Sequence, residues 1–328
     1  MNIAMPTYPR HVATVSARPV ATVAEAITAM RDLGASFGPS DGVGAFNTMY
    51  LQVTEAVAEL LPSGVFVDRT FLDRLDVNFA NLYLDAYLRY QAGATDEVCA
   101  SWRVLFDRRD DDQVRPLQFA LAGMNAHINH DLPLAVTTTL TELGLSLTSR
   151  GVREDFVTVN KILSDASEPV RQRLQGPVIS ALDDVLGPVD NVLAMWGIAQ
   201  SREAAWRQAV RLFEFLDEPD RYRRLERTLD RLVSLASRCL LTPVGDAVVA
   251  STLLASSLAT LDTLADRVGD VLWGDGVVDG QDDGVIGTLL WSVRNVVKGL
   301  EDLVTGDDPG DEELSAVVAD LRGLAAAV

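Results

Sequence analysis

Apolar residues recur every three or four positions along most of this chain, and proline or glycine interrupts each run. The stretch "FNTMYLQVTEAVAELL" shows this spacing and stops at Pro62, and "DRTFLDRLDVNFANLYLDAYLRYQAG" shows it and ends at Gly93. No stretch alternates polar and apolar residues for long enough to predict a strand. The pattern therefore predicts an all-α fold, a multi-helix, bundle-like domain with long helices around a central polar helix.

The interruptions divide the chain into three predicted regions. Residues 1–43 are an N-terminal arm with a short helix from Val23 to Leu33, and the glycine- and proline-rich "LGASFGPSDGVGAF" that follows this helix is predicted to be a loop. Residues 44–215 are a helical core domain, and residues 216–328 are a C-terminal packing or lid region. The sequence leaves open whether these regions form one continuous domain. Further helices are predicted at about 133–145, 153–166, 169–198, 201–215, 219–238, 244–273, 284–305 and 311–326.

The charge balance limits the partners that we expect. The chain has 28 Lys and Arg against 47 Asp and Glu, a formal net charge of −19. Such a surface repels phosphate backbones and anionic lipid headgroups, so no nucleic acid and no membrane partner is predicted. The first residues lack the apolar core of a signal peptide, and no later stretch is apolar for long enough to span a membrane. The sequence thus predicts a cytoplasmic, acidic protein.

The two cysteines, Cys99 and Cys239, are too few for a disulfide framework and show no spacing typical of metal ligands. The chain also lacks a glycine-rich phosphate loop, a dinucleotide fingerprint and the common nucleophile motifs. Chemistry that depends on ATP or NAD therefore has no support in the sequence.

The stretch "GMNAHINHDLP", residues 123–133, contains two of the three histidines. The apolar residues from Phe119 to Met124 leave this helix no polar face, which predicts a buried central helix. His127 and Asp131 are four residues apart and share a face, so the carboxylate can orient the imidazole as a general base requires. The alternative is a pair that only holds neighbouring helices together.

Pro133 adds a second prediction for the same helix. Its nitrogen carries no hydrogen and cannot donate to the carbonyl of Asn129, four residues earlier. We therefore expect a kink next to Asn129.

The blocks "FNTMYLQVT", "FLDRLDVNFANLYLDA", "LAGMNAHINHDLPLAV" and "DFVTVNKIL" together resemble a bacterial family, common in actinobacteria, that is described only as a domain of unknown function. The resemblance covers roughly residues 44–215 and implies an α-helical domain without naming an activity. It implies a shared polar cluster of Asp76, Asn78, Asn81, Asn125, His127, Asn129, Asp131, Asp155 and Asn160. The resemblance also implies other residue types at the position of His130, which argues against a catalytic role for His130.

These observations lead to the hypothesis of a small-molecule enzyme without a cofactor, in which His127 carries a proton and Asp131 orients it. The reaction would be an isomerisation, cyclisation or hydrolysis of a mostly apolar small molecule in specialised metabolism, bound in a pocket among the helices. The predicted supporting residues are Asn125, Asn129, Asn160, Asp76, Asn78 and Asp155.

A mononuclear metal-dependent hydrolase is one alternative. His127, Asp131 and a third carboxylate, Asp155 or Asp76, would hold one divalent metal ion. Three histidines in the whole chain are too few for a trinuclear zinc site.

Terpene-cyclase-like diphosphate chemistry is another alternative. Asn160, Ser164 and Glu168 have the spacing of the magnesium-binding triad of class I terpene cyclases, and the acidic "DRRDDD" at 107–112 precedes them. Too little chain separates the two motifs, so we expect a chance match and a solvated acidic loop.

Two further alternatives involve no catalysis. The stretch "DGQDDGVIG" resembles a calcium-binding loop, but Leu290 stands where a bidentate Glu is required, which favours a turn. Finally, the chain can be a non-catalytic helical binding or scaffold protein whose polar cluster fixes the packing of its helices.

Overall fold

The computed structural model describes residues 19–114, 116–164 and 198–241. Its α-helices are α1 (Val23–Ser36), α2 (Gly42–Leu60), α3 (Arg69–Gln91), α4 (Ala100–Asp107), α5 (Pro116–Ala126), α6 (Leu132–Leu143), α7 (Val152–Ser164), α8 (Ile198–Glu214) and α9 (Pro219–Leu240). A π-helical turn, His127–Asp131, joins α5 to α6, and short 3-10 turns lie at Leu61–Ser63 and Thr95–Glu97. No strand occurs among these residues, so the prediction of an all-α fold is confirmed.

Several sequence predictions fall on other parts of the chain. These lie outside the described residues: positions 1–18 of the N-terminal region, most of the helix predicted at 169–198, and the helices predicted at 244–273, 284–305 and 311–326. The same holds for Glu168 and for the loop that contains Asp279 and Asp283.

Side-chain caps explain where the first helices begin. The Asp41 carboxylate accepts the N–H groups of Val43 and Gly44 and starts α2, and Asp68 accepts the N–H of Phe71 and starts α3. Helix α2 therefore begins at Gly42, inside the stretch that its glycine and proline content predicted to be a loop. The predicted boundary between residues 43 and 44 falls within this helix.

Helices α2 and α5 pack very closely because two glycines leave room for aromatic rings. A Cβ on Gly42 would lie 2.4 Å from the Phe119 ring, and a Cβ on Gly123 would lie 2.4 Å from the Phe46 ring. Alanine at either position would therefore require the helices to move apart.

One hydrophobic core runs through the described helices. It includes residues from the first and the last of these helices, among them Met30 of α1 and Val233 of α9. Helix α5 packs between α2 and α9, while α6 packs between α3 and α8. The first part of the predicted C-terminal region thus shares the core of the residues before it, and the π turn lies at the centre.

Candidate functional site

The central helix widens at the sequence "HINHD". In this π turn the N–H of Leu132 donates to the carbonyl of His127, five residues earlier. Pro133 follows immediately and cannot supply the α-helical hydrogen bond to the Asn129 carbonyl. The sequence predicted a kink here, whereas the structure has a wider turn, a geometry that recurs at functional sites.

The Asp131 carboxylate accepts three side-chain hydrogen bonds. Trp102 Nε1 donates to Oδ2 at 2.8 Å, His127 Nδ1 lies 3.0 Å from Oδ2, and His130 Nδ1 lies 2.8 Å from Oδ1. Burial raises the pKa of Asp131, but the hydrogen bonds from His127 and His130 outweigh it and lower the pKa below its usual range. Asp131 is therefore a buried, ionised carboxylate that orients two imidazoles.

The His127 ring is enclosed by aromatic side chains. Phe79 stacks on it with ring centroids 3.5 Å apart and planes within 6°, and the Tyr50 ring lies edge-on at 4.2 Å. Phe46, Tyr83 and Trp102 complete the enclosure. Burial lowers the pKa of His127, and the hydrogen bond to Asp131 offsets only part of this effect. The imidazole is therefore neutral at neutral pH.

The two nitrogens of this neutral ring have different roles. Nδ1 faces an ionised carboxylate, so it carries the hydrogen and donates to Asp131. Nε2 then holds the lone pair, and it is buried with no hydrogen-bond partner among the described residues. A buried acceptor without a partner is energetically unfavourable, so its presence beside an oriented imidazole points to a functional role.

A pair of opposite charges lies in the same region, from α3 and α8. Burial raises the pKa of Asp76 to about 7, with Arg202 opposing the shift, and burial lowers the pKa of Arg202 to about 10. Both charges affect the pKa of Tyr50, and the charge of Arg202 also lowers that of His127. Asp76 Oδ2 is a second buried atom without a hydrogen-bond partner in the described part of the chain.

Asn160 belongs to this cluster through Arg202. Its side-chain oxygen accepts a hydrogen bond from Arg202 Nε, and the guanidinium lies 4.7 Å from the centre of the Phe156 ring. Arg202 is only 6% exposed. Of the residues predicted from the sequence, the structure thus brings His127, Asp131, Asp76 and Asn160 into one region.

Asn125 and Asn129 lie on the side of the central helix that packs against α9. Asn125 Nδ2 donates to the carbonyl of Val233 and to the hydroxyl of Ser237, and Asn129 Nδ2 donates to Asn125 Oδ1. Asn125 thus holds α5 against α9, and Asn129 orients Asn125, which is a supporting role.

Asn78 and Asp155 make contacts elsewhere. Asn78 Nδ2 donates to Thr139 and Glu142 on α6. The Asp155 carboxylate accepts the backbone N–H groups of Val67 and Asp68 just before α3. The structure gives both residues a role in helix packing, so the prediction that they support catalysis has no contact in its favour.

The metal triad considered from the sequence is not assembled. Among the described residues, the His, Cys, Asp and Glu side chains whose ligand atoms all lie within 4.8 Å of one another are Cys99, His130 and Asp230. His127, Asp131 and Asp155 form no such group because Asp155 binds the backbone before α3. The described residues therefore do not bring these predicted ligands together, and the mononuclear hydrolase stays a prediction.

The terpene-cyclase alternative also loses support from those of its residues that the structure describes. The oxygen of Asn160 is bound by Arg202. In the acidic stretch, Asp111 pairs with Arg108, and Asp107 accepts the hydroxyl of Tyr90. These contacts fit the predicted solvated loop.

Sequence reasoning missed two participants and underrated a third. Arg202 precedes Trp206 by one helical turn on the buried stripe of α8, and a charged residue on an apolar stripe was the available signal. Tyr50 was assigned to the core because of its apolar spacing. His130, interpreted as a bystander from the resemblance, instead shares Asp131 with His127.

Comparison with known proteins gives a family but no activity. The profile of a family described as "Family of unknown function (DUF5995)" matches residues 23–243, about two thirds of the chain. No curated protein and no solved structure matches the sequence. None of the helices in the described ranges combines the length and apolar character that a membrane span requires.

Proposed function

We propose that this chain, which belongs to the DUF5995 family of unknown function, catalyses proton transfer on a small, mostly apolar molecule with His127 as the base. One observation carries the proposal. Asp131 holds Nδ1 of a neutral imidazole at 3.0 Å, while Nε2 is buried without a hydrogen-bond partner in the described residues. This arrangement supports a general base, because the carboxylate fixes the tautomer and stabilises the imidazolium that forms.

The proposed step needs no co-reactant other than water. His127 Nε2 takes a proton from the substrate, and the electron pair of the broken bond stays on the substrate, where it forms the new double bond or ring bond. His127 then returns the proton to a different atom. Isomerisation and cyclisation follow this scheme directly. In hydrolysis Nε2 takes the proton from a water molecule whose oxygen bonds to the substrate, and the leaving group takes the electron pair of the cleaved bond and then the proton from His127.

The neighbouring charges supply two further roles. Asp76, with its pKa raised to about 7, can hold or release a proton near neutral pH. The buried guanidinium of Arg202 stabilises negative charge that develops on the substrate. Asn160 positions Arg202 through its hydrogen bond.

The surroundings of His127 support an apolar substrate. The ring is enclosed by Phe46, Tyr50, Phe79, Tyr83 and Trp102. Because His127 is 2% exposed, the proposal requires these side chains to move when a substrate enters.

The finer expectations from the sequence are part of this proposal. They are a cytoplasmic location, a place in specialised metabolism, a small-molecule pocket and an actinobacterial family marked by the four sequence blocks. The absence of a resident cofactor at His127 is proposed in the same way.

A non-catalytic helical scaffold is the second candidate, and the close stacking of His127 on Phe79 favours it. In that case the polar cluster would only fix the arrangement of the central helix. The two candidates differ in whether His127 exchanges protons with a bound molecule.

Deuterium incorporation tests the proposal. The full chain is incubated in D₂O with pools of small apolar metabolites, and mass spectrometry follows solvent deuterium in each compound. We expect uptake in at least one compound, reduced by about 10²–10⁴-fold in His127→Phe, a ring of similar size that cannot accept a proton.

Asn78→Ala is the matched control, because Asn78 contacts only α6 residues among its described hydrogen bonds. It should keep the full rate. Uptake that is unchanged in His127→Phe, or no uptake with the wild-type chain in any pool, would reject the proposal and favour the scaffold.

A further inference from the structure

A second cluster of side chains lies on the other side of Asp131. It contains Cys99, which directly precedes α4, His130 of the π turn and Asp230 of α9. One ligand atom of each lies within 4.8 Å of the others, and His130 Nε2 is 4.0 Å from Asp230 Oδ1. Three helical elements that are distant in sequence thus bring a sulfur, a nitrogen and an oxygen to one point.

These distances are close to those of a tetrahedral zinc site. Bond lengths of about 2.0–2.1 Å to nitrogen and oxygen and about 2.3 Å to sulfur separate N from O by about 3.3 Å and S from either by about 3.6 Å. The His130 and Asp230 atoms, 4.0 Å apart, therefore need to approach by about 0.7 Å, and the sulfur needs to approach them by at most about 1.2 Å.

Each of the three side chains is already oriented by a hydrogen bond to a neighbouring residue. His130 Nδ1 is held by Asp131 Oδ1 at 2.8 Å, which leaves Nε2 for a metal. The Ser101 hydroxyl donates to Cys99 Sγ at 3.2 Å, and the N–H groups of Ala100 and Ser101 donate to Asp230. A carboxylate behind a histidine and hydrogen bonds to the other ligands are the usual outer contacts of metal sites.

The donor set selects the kind of metal. A thiolate and an imidazole disfavour Mg²⁺ and Ca²⁺, which prefer oxygen ligands, and favour Zn²⁺ among the divalent ions. Cys99 is partly exposed, and the Asp230 side chain is 22% exposed, so an ion can enter from solvent. Three protein ligands leave one position for water.

We propose that Cys99, His130 and Asp230 bind a zinc ion, with a water molecule as the fourth ligand. The site shares Asp131 with the His127 base, but zinc binding there does not depend on the proposed function. Binding joins α4, the π turn and α9, and the protons on Cys99 Sγ and on His130 Nε2 are released to solvent.

Cobalt binding to the full-length, chelator-treated protein tests this site. Co²⁺ replaces Zn²⁺ in such sites and gives a charge-transfer absorption band when a thiolate is a ligand. We expect this band at one equivalent of Co²⁺, its loss when Zn²⁺ is added, and a rise in Tm with Zn²⁺.

Variants assign the ligands. Cys99→Ser should abolish the band and weaken Zn²⁺ binding at least about 100-fold in calorimetric titration, and Asp230→Asn should weaken it at least about 10-fold. Cys239→Ser, at the other cysteine of the chain, should bind like the wild type.

A wild-type protein without the thiolate band overturns the proposal whatever the variants do. The same conclusion follows if Cys239→Ser, rather than Cys99→Ser, removes the band. Circular dichroism confirms that each variant is folded, and if Cys99→Ser unfolds, the Asp230→Asn titration decides.

Discussion

The two histidines of the π turn share the Asp131 carboxylate but lie in opposite surroundings. His127 is enclosed by aromatic rings, and burial lowers its pKa. For His130, burial also acts against the charged form, but Cys99 and the hydrogen bond to Asp131 outweigh it and raise the pKa well above its usual range. A shared carboxylate therefore does not fix the protonation of an imidazole, because the groups at the other nitrogen decide it.

This difference suits the two sites to different tasks. A neutral imidazole with a free lone pair in an apolar enclosure suits proton abstraction. An imidazole beside a thiol and a second carboxylate, with part of the cluster exposed, suits a cation, whether a proton or a metal ion. Variants that remove the shared carboxylate affect both sites, and variants at one histidine or at Asp76 affect one site alone.

The largest effect is expected from Asp131→Asn, which disrupts both sites at once. An amide has one acceptor oxygen for three buried donors, from Trp102, His127 and His130. We expect the free energy of unfolding to fall by about 3–5 kcal/mol in urea titrations at pH 7.

The control for this variant is Asp85→Asn, at an exposed carboxylate paired with Arg89. It should lose about 1 kcal/mol or less. Losses of equal size in the two variants would show that Asp131 does not organise the π turn.

Asp76→Asn affects only the surroundings of His127, and its effect is seen in how the free energy of unfolding changes with pH. The folded pKa of Asp76, about 7, lies above the unfolded value of about 3.9. The wild type therefore loses stability as the pH rises from about 4 through 7, whereas the neutral amide does not. Relative to the wild type, the variant should gain up to about 4 kcal/mol between pH 4 and pH 8.

Urea titrations of both proteins across this pH range measure the gain. A difference between variant and wild type that stays constant with pH would mean that Asp76 is not held in a desolvated environment. Lost deuterium exchange in a variant that is more stable at pH 8 would identify Asp76 as part of the reaction.

Replacing each histidine by phenylalanine compares the two surroundings directly. His130→Phe loses its hydrogen bond to Asp131 and places an apolar ring beside Asp230, and we expect a loss of about 2–3 kcal/mol. His127→Phe loses a hydrogen bond but also removes the unpaired Nε2, so the change should stay within about 1 kcal/mol. Chemical unfolding at pH 7.5 measures both, and the reverse order would contradict the assignment of the two environments.

The smallest expected effect is the contribution of His127 to the loss of folding stability at acidic pH. Its folded pKa lies below the unfolded value of about 6.5, so the unfolded chain binds a proton first and stability falls as the pH drops below about 6.5. His127→Phe should lack this contribution, which amounts to at most about 1.4 kcal/mol per pH unit. Parallel pH profiles for the variant and the wild type would show that His127 is not desolvated.

Local sequence signals predicted the end of α3. This helix, which Asp68 caps, ends shortly before Gly93, with φ 78°, as the sequence predicted. The glycine and proline content before α2 predicted a loop at Gly42, where the structure has a helix. The cap at Asp41 and the packing of Phe119 against Gly42 outweigh the low helix propensity of glycine.

For the candidate site, the sequence predicted only the contact between residues of one helix. The pair His127 and Asp131 follows from a separation of four residues, and it survives the change to a π turn. Asp155 could not be assigned because its partners, the N–H groups of Val67 and Asp68, are almost ninety positions away. Arg202 and Asp230 approach the central helix only after α8 and α9 have packed, and no local pattern encodes that.

Nitrogen NMR of the histidine rings tests the central claim most directly. The protein is labelled with ¹⁵N-histidine, and the His127 signals are assigned by their loss in His127→Phe. At pH 7 we predict a protonated Nδ1 and an unprotonated Nε2 with the chemical shift of a nitrogen that accepts no hydrogen bond. A protonated Nε2, in either the opposite tautomer or the imidazolium, would contradict the assignment of His127 as a free base.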